Sequence, residues 1–169
     1  MECITPDLRH LVFRRQTLRP RVGAEEGYQN YMIEMIEHVG VKILRHFMKT
    51  ASKCLTKDGL LLIQFDGKSE SINWNYKWIE KYVFPGTVTP SPKQITAAAE
   101  GLFFVADWHD FTKDYHKTMI EWHSNFEKNW PKIKENYDDR FYRLWKFYLQ
   151  CCPGTALANT QHLWQVVFI

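Results

Sequence analysis

The chain has 169 residues, enough for one domain with a sizeable core and too few for two. Its 45% hydrophobic and 24% charged residues are ordinary for a soluble globular protein. A formal charge of +3 and a pI near 8.6 tolerate an anionic membrane surface but fall far short of the basic patch of a nucleic-acid binder, so no nucleic-acid partner is expected.

No stretch approaches the roughly 18 consecutive apolar residues of a membrane span, so any lipid chemistry falls to a protein that visits the bilayer. Aromatic residues reach 15% and include seven Trp, which fits either an aromatic core or a pocket for apolar ligands; both readings stand. Cys3, Cys54, Cys151 and Cys152 show no CxxC spacing. The simple reading is a reduced, cytosolic chain with buried thiols and no metal site.

Residues 1–27 differ in character from the rest of the chain. Arg9, Arg14, Arg15, Arg19 and Arg21 stand there without a sustained apolar pattern. Asp7, Glu25, Glu26 and the prolines argue against a mitochondrial presequence, and the stretch reads as a disordered or spurious leader. From Tyr31 to Ile36 an apolar run is broken by Glu34 alone, which fits a buried strand ending in a loop; a helix fits the same period. Between Val41 and Leu55 the apolar residues Ile43, Leu44, Phe47, Met48, Ala51, Cys54 and Leu55 follow helical spacing, with lysines and Arg45 opposite. Lys57-Asp58-Gly59 supplies the turn, and Leu60 to Phe65 reads as a strand buried on both faces. Strand, helix and strand in this order form a βαβ unit.

Trp74 to Val83 reads as a helix stopped by Pro85-Gly86. Ser91-Pro92 is a serine cap followed by proline at the first helical position, opening a helix that runs to Glu100 and stops at Gly101. Leu102 to Trp108 reads as a strand, residues 111–130 and Asp138 to Cys152 as helices, and Gln161 to Phe168 as a last strand. This alternation predicts an α/β fold with a Rossmann-like sheet. Such sheets bind ligands beyond the carboxyl ends of their strands. The segments to watch are therefore Glu37 and His38, Gln64 to Gly67, and the loop after Trp108.

Several of these segments resemble one family. Glu34-Met35-Ile36-Glu37-His38-Val39-Gly40, Phe84-Pro85-Gly86-Thr87-Val88-Thr89-Pro90-Ser91 and Asp107-Trp108-His109-Asp110-Phe111 occur in order. Arg140 to Leu149 with Cys152, and Gln161 to Phe168, complete the set. From about Tyr28 to Phe168 the chain is similar to the cyclopropane-fatty-acyl-phospholipid synthases and the related mycolic acid cyclopropane synthases. The resemblance implies the C-terminal part, residues 28–169, of an S-adenosylmethionine-dependent methyltransferase sheet: strands four to seven, with the first strands missing. No glycine-rich cofactor loop precedes Tyr28, because Gly23 and Gly27 make no GxGxxG-type turn. No cofactor-binding residue is therefore expected in this chain, which should be inactive as it stands.

The resemblance further implies transfer of a methylene from S-adenosylmethionine to a cis double bond of a phospholipid acyl chain. A bicarbonate ion would act as base, in a cytoplasmic protein peripheral to the membrane with transient contact to its surface. An assembly of identical chains stays open. Position by position, Glu37 matches the family's bicarbonate-holding glutamate and Tyr148 its tyrosine. Gln64 stands where bacterial members carry histidine. Asp66 stands where a hydrophobic residue offers its backbone amide, and a carboxylate beside an anion repels it.

Plainer roles compete at each position. Glu37 is placed to cap the following helix, Gln64 to end a strand in solvent, and Tyr148 to fill a core. His109, His116 and His123 lack metal-site spacing, the Trp122, Phe126 and Trp130 stripe suits a core, and Lys128, Lys132 and Lys134 suit a solvated face. Two other functions remain open: a non-catalytic lipid-binding remnant, and a methyltransferase with an amine acceptor.

Overall fold

The computed structural model describes residues 29–169; the expected leader, residues 1–27, and Cys3 lie outside them. Strand β1 (Gln29–Ile33) leads through a 3-10 turn (Ile36–His38) into helix α1 (Leu44–Lys53) and strand β2 (Leu60–Gly67). Helices α2 (Lys77–Tyr82) and α3 (Pro92–Ala99) precede strand β3 (Val105–Asp110). Two long helices, α4 (Thr112–Ile133) and α5 (Asp139–Leu157), then form a hairpin before strand β4 (His162–Phe168).

The strands form one sheet in the order β1-β2-β4-β3. β1 and β2 are parallel, as the βαβ reading requires, whereas β4 runs antiparallel to both β2 and β3. The chain is thus an α/β fold carrying a four-stranded mixed sheet. Among the described residues no helix is long and apolar enough to cross a membrane.

The main core lies on one face of the sheet. Leu61, Ile63 and Phe65 of β2 and Val166 and Phe168 of β4 pack there against Phe47 and Met48 of α1 and Ile95 of α3. Each such side chain contributes about 1.5–3 kcal/mol by leaving water. The capping prediction for α3 holds in full: Ser91 Oγ accepts from Gln94 N at 3.2 Å, and the Gln94 side chain accepts from Ser91 N at 2.8 Å. Gly101 follows at φ +67°, a left-handed turn that glycine adopts without a Cβ clash. Gly67 is needed for a different reason: a Cβ there would meet Trp164 Cζ3 at 2.2 Å.

Four expectations change. β2 is not buried on both faces; Leu61, Ile63 and Phe65 are buried, while Leu62, Gln64 and Asp66 are half-buried. α1 and α3 cover the first face, whereas the second meets the α4–α5 hairpin where Asp66 borders a hollow. The third strand starts at Val105 rather than Leu102, since Leu102 and Phe103 make the turn that leaves α3, donating their N–H groups to Ala99 O. α5 continues past Cys152 through Pro153, whose carbonyl accepts from His116 Nδ1 of α4 at 3.1 Å. Finally, the thiols are not buried. Cys54 ends α1 facing outward, Cys151 is exposed, and Cys152 is half-buried because it lies on the packed side of α5.

Candidate functional site

A cavity of about 230 Å³ opens beyond the carboxyl ends of β1 and β2, the place the sheet topology favours for ligands. The segment after β1 contributes Glu34 and Glu37, and β2 contributes Asp66. Tyr115, Met119 and Trp122 of α4 and Tyr148 and Cys152 of α5 form the opposite wall. The loop after α2 closes one side with Phe84 and Thr87. No lysine or arginine lines the cavity among the described residues.

Local backbone geometry sets each of these groups in place. Glu34 adopts φ +53°, turning the chain out of β1 while its N–H donates to Gln64 O at 3.0 Å. The 3-10 turn then buries Ile36 in the core and turns Glu37 inward. The Glu37 carbonyl accepts from Val88 N at 2.9 Å, tying the Pro85-Gly86 loop to the turn. That loop is fixed in turn by Asn75 Nδ2 donating to Thr87 Oγ1 at 3.0 Å and Thr87 Oγ1 donating to Phe84 O at 2.8 Å. Phe84 meets Tyr148 edge to face, with centroids 6.0 Å apart. Tyr148 sits with Met119 and Leu149 in a second, smaller core at the helical hairpin.

Glu37 and Tyr148 therefore face one cavity, although each comes from a separate element. Glu37 caps no helix: α1 begins after Ile43 without a side-chain cap, and Glu37 Oε1 instead accepts from Asp66 N at 2.5 Å. Its Oε2 is buried with no hydrogen-bond partner. Gln64 stands behind the wall rather than in it. Its amide nitrogen donates to Glu34 Oε1 at 3.3 Å, and Gln165 Nε2 donates to its oxygen at 2.6 Å.

Burial dominates the electrostatics. It pushes the Glu37 carboxyl up to about 8, helped by the nearby Glu34 and opposed by the Asp66 N–H. Asp66 is raised to about 7, again by burial first and Glu34 second, with a hydrogen bond to Gln161 opposing. Glu34 itself is raised by burial. The Tyr148 and Tyr115 hydroxyls are pushed upward by burial and by Asp66, and Cys152 is raised to about 12 chiefly by burial. Around neutral pH the cavity thus holds neutral phenols and a neutral thiol opposite a Glu37 that keeps its proton and an Asp66 near its midpoint.

The sequence did not single out Glu34, Tyr115 or Cys152 as site residues. Glu34 had one visible signal, an acid three residues before Glu37 at the end of a strand. Tyr115 and Cys152 fall within the segments that resemble the family, but their convergence depends on how the hairpin seats on the sheet. Of the aromatic stripe, Trp122 lines the cavity, while Phe126 packs on the second core and Trp130 lies tilted against Tyr142. His109 stacks on Phe111, His123 lies 3.7 Å from Glu127, and no three potential metal ligands cluster among the described residues. Lys128, Lys132 and Lys134 are exposed.

Comparisons with known proteins bear on this cavity. The family model described as mycolic acid cyclopropane synthetase matches residues 29–166. The cyclopropane-fatty-acyl-phospholipid synthase of Escherichia coli is 38% identical over 137 residues, 80% of this chain and 36% of that protein. The sphingolipid C9-methyltransferase of Candida albicans is 31% identical over 143 residues, 80% of this chain and 28% of that protein. This chain thus spans about a third of the length of these relatives. Among solved structures, a cyclopropane synthase from Mycobacterium tuberculosis superposes with a TM-score of 0.77 at 18% identity, covering 83% of this chain and 54% of that one. A mycolic acid cyclopropane synthase complexed with SAH and CTAB gives a TM-score of 0.75 at 19% identity, covering 83% and 54%. At these identities the structures speak to the fold alone.

Proposed function

The chain belongs to the mycolic acid cyclopropane synthetase family, and from that premise we propose that its cavity is the acceptor side of a site that builds a cyclopropane ring on an unsaturated phospholipid acyl chain. The observation that carries this reading is the meeting of Glu37, Asp66 and Tyr148 around one apolar hollow beyond the strand ends. A reaction passing through a cation needs such a place. Water must be kept out, aromatic faces must tolerate positive charge, and a basic group must wait nearby. Met119, Trp122 and Phe84 supply apolar walls suited to a hydrocarbon chain.

Two groups absent from the chain bear on the chemistry. S-adenosylmethionine is a sulfonium cation that would supply the methyl group when bound. Among the described residues no lysine or arginine lines the cavity, so no fixed positive charge opposes such a cation there. Bicarbonate is an anion and does not fit as well. The Asp66 amide is already taken by Glu37 Oε1, and the Asp66 carboxyl stands at the same point. Trp122 is 47% exposed while lining the cavity, and a transient visit to a membrane surface by a peripheral cytoplasmic protein would bring the lipid to that side.

The test is a chimera in which residues 29–169 replace the matching portion of the E. coli synthase, incubated with S-adenosylmethionine and oleoyl phospholipid vesicles. Gas chromatography of the fatty acids should show ring-containing products. The 169-residue chain alone should form none and should bind S-adenosylmethionine too weakly to measure by titration calorimetry, because its sequence holds no glycine-rich loop. A folded, cofactor-binding chimera that leaves oleoyl chains unchanged contradicts the reading. Methyl-branched products without rings would move it toward the sphingolipid C9-methyltransferase relatives, which share 31% identity in one case. N-methylated headgroups would favour the amine acceptor.

A further inference from the structure

We propose that the Asp66 side chain itself accepts the proton in ring closure, so that this cavity works without a bound bicarbonate; the inference rests on the ring-forming reading of the cavity. The geometry leads there by three observations. First, Asp66 N–H donates to Glu37 Oε1 at 2.5 Å, so the backbone donor that an added anion would use at this point is occupied. Second, the Asp66 side chain hydrogen-bonds Gln161 and lines the same hollow as Tyr148 and Tyr115. It is already a basic oxygen where one is required. Third, an added anion would find no compensating charge there. Glu34 and Glu37 face the hollow beside Asp66, no lysine or arginine among the described residues lines it, and of its two histidines His162 is engaged by neighbours while His38 is solvent-exposed. His162 Nδ1 lies 3.7 Å from Asp110 and 3.5 Å from Thr112 Oγ1, and His38 is exposed with its ring against Phe84.

The step balances with groups named here. The alkene's π pair bonds to the transferred methyl carbon as the carbon–sulfur pair stays on sulfur, leaving a carbocation on the acyl chain. The Asp66 carboxylate takes one proton from the new methyl, and the released C–H pair closes the third ring bond. Asp66 becomes a neutral acid and returns the proton to solvent when the product leaves. Burial favours this cycle, because it raises Asp66 toward 7, where a carboxyl is readily deprotonated yet basic enough to receive a proton. Glu37, raised further, serves as a positioning residue: its Oε1 holds the Asp66 backbone N–H.

The test has a binding arm and a product arm. In the binding arm, [13C]bicarbonate is titrated into the 169-residue chain and followed by 13C NMR. No saturable broadening is expected for the natural sequence. In the product arm, the same E. coli chimera is assayed with dissolved carbon dioxide and bicarbonate stripped out. Ring formation should change less than about twofold, while Asp66→Asn should lower it at least about 100-fold, with S-adenosylmethionine affinity retained as the check on folding. Saturable bicarbonate binding by the natural chain, a tenfold loss on stripping, or an active Asp66→Asn chimera each overturns the proposal. A natural chimera that forms no rings brings down the ring-forming reading and the proton-transfer role together. The NMR arm decides separately whether the cavity excludes the anion.

Discussion

The two faces of strand β2 carry opposite assignments. On one face Leu61, Ile63 and Phe65 are fully buried against α1 and α3, with no polar atom to satisfy. On the other, Asp66 meets Glu37 at the rim of a hollow, with Gln64 behind it bonded to Glu34, and burial there raises the pKa of the carboxyl groups. Because strand residues alternate in direction, eight consecutive positions serve both purposes without a loop between them. The first face holds the fold together, and the second spends part of that stability on carboxyl groups kept from water.

The contrast is most easily broken from the core side. Phe65→Ala should cost about 3–5 kcal/mol, seen as a lowered midpoint in urea unfolding. Whatever fraction remains folded should keep the cavity intact. Glu37→Gln should do the reverse. In the chimera it should reduce ring formation about 100-fold, equivalent to about 2.7 kcal/mol in the barrier. Its melting temperature at pH 9 should match or exceed that of the natural sequence, since a poorly solvated charge is gone.

A third test uses pH alone. Glu37 and Asp66 hold protons in the folded chain up to about 8 and about 7, well above their unfolded values. Folding is thus favoured in acid, and that advantage is lost as pH rises through neutrality. The melting temperature should fall by several degrees between pH 6 and pH 9, a range set by the same linkage. Asp66→Asn should flatten the slope. The smallest effect belongs to the cap: Ser91→Ala should destabilise by about 1 kcal/mol without altering the pH slope.

Much of this arrangement was legible in the sequence where it depended on local chemistry. The βαβ unit, the Ser91 cap and the Gly101 stop follow from periodicity and backbone preference, and the order of the matched segments disclosed the family. What stayed hidden depended on long-range packing. The continuous apolar run from Leu60 to Phe65 looked two-sided, because sequence cannot say that α1 and α3 cover one face while a hollow borders the other. Likewise, Tyr115 and Cys152 reach the cavity only because the α4–α5 hairpin docks over the sheet. Gln64 proved to be a link between Gln165 and Glu34 rather than part of the wall.

The electrostatic state of the cavity is the point on which the functional reading turns. Carboxyl 13C chemical shifts of Asp and Glu, followed from pH 3 to pH 10 in the natural chain, Asp66→Asn and Glu37→Gln, measure it directly. Two resonances titrating near 7 and 8 are expected, each removed by one substitution. If every carboxyl instead titrates below about 5, the hollow is wet and ordinary, and it offers no sheltered base for a carbocation.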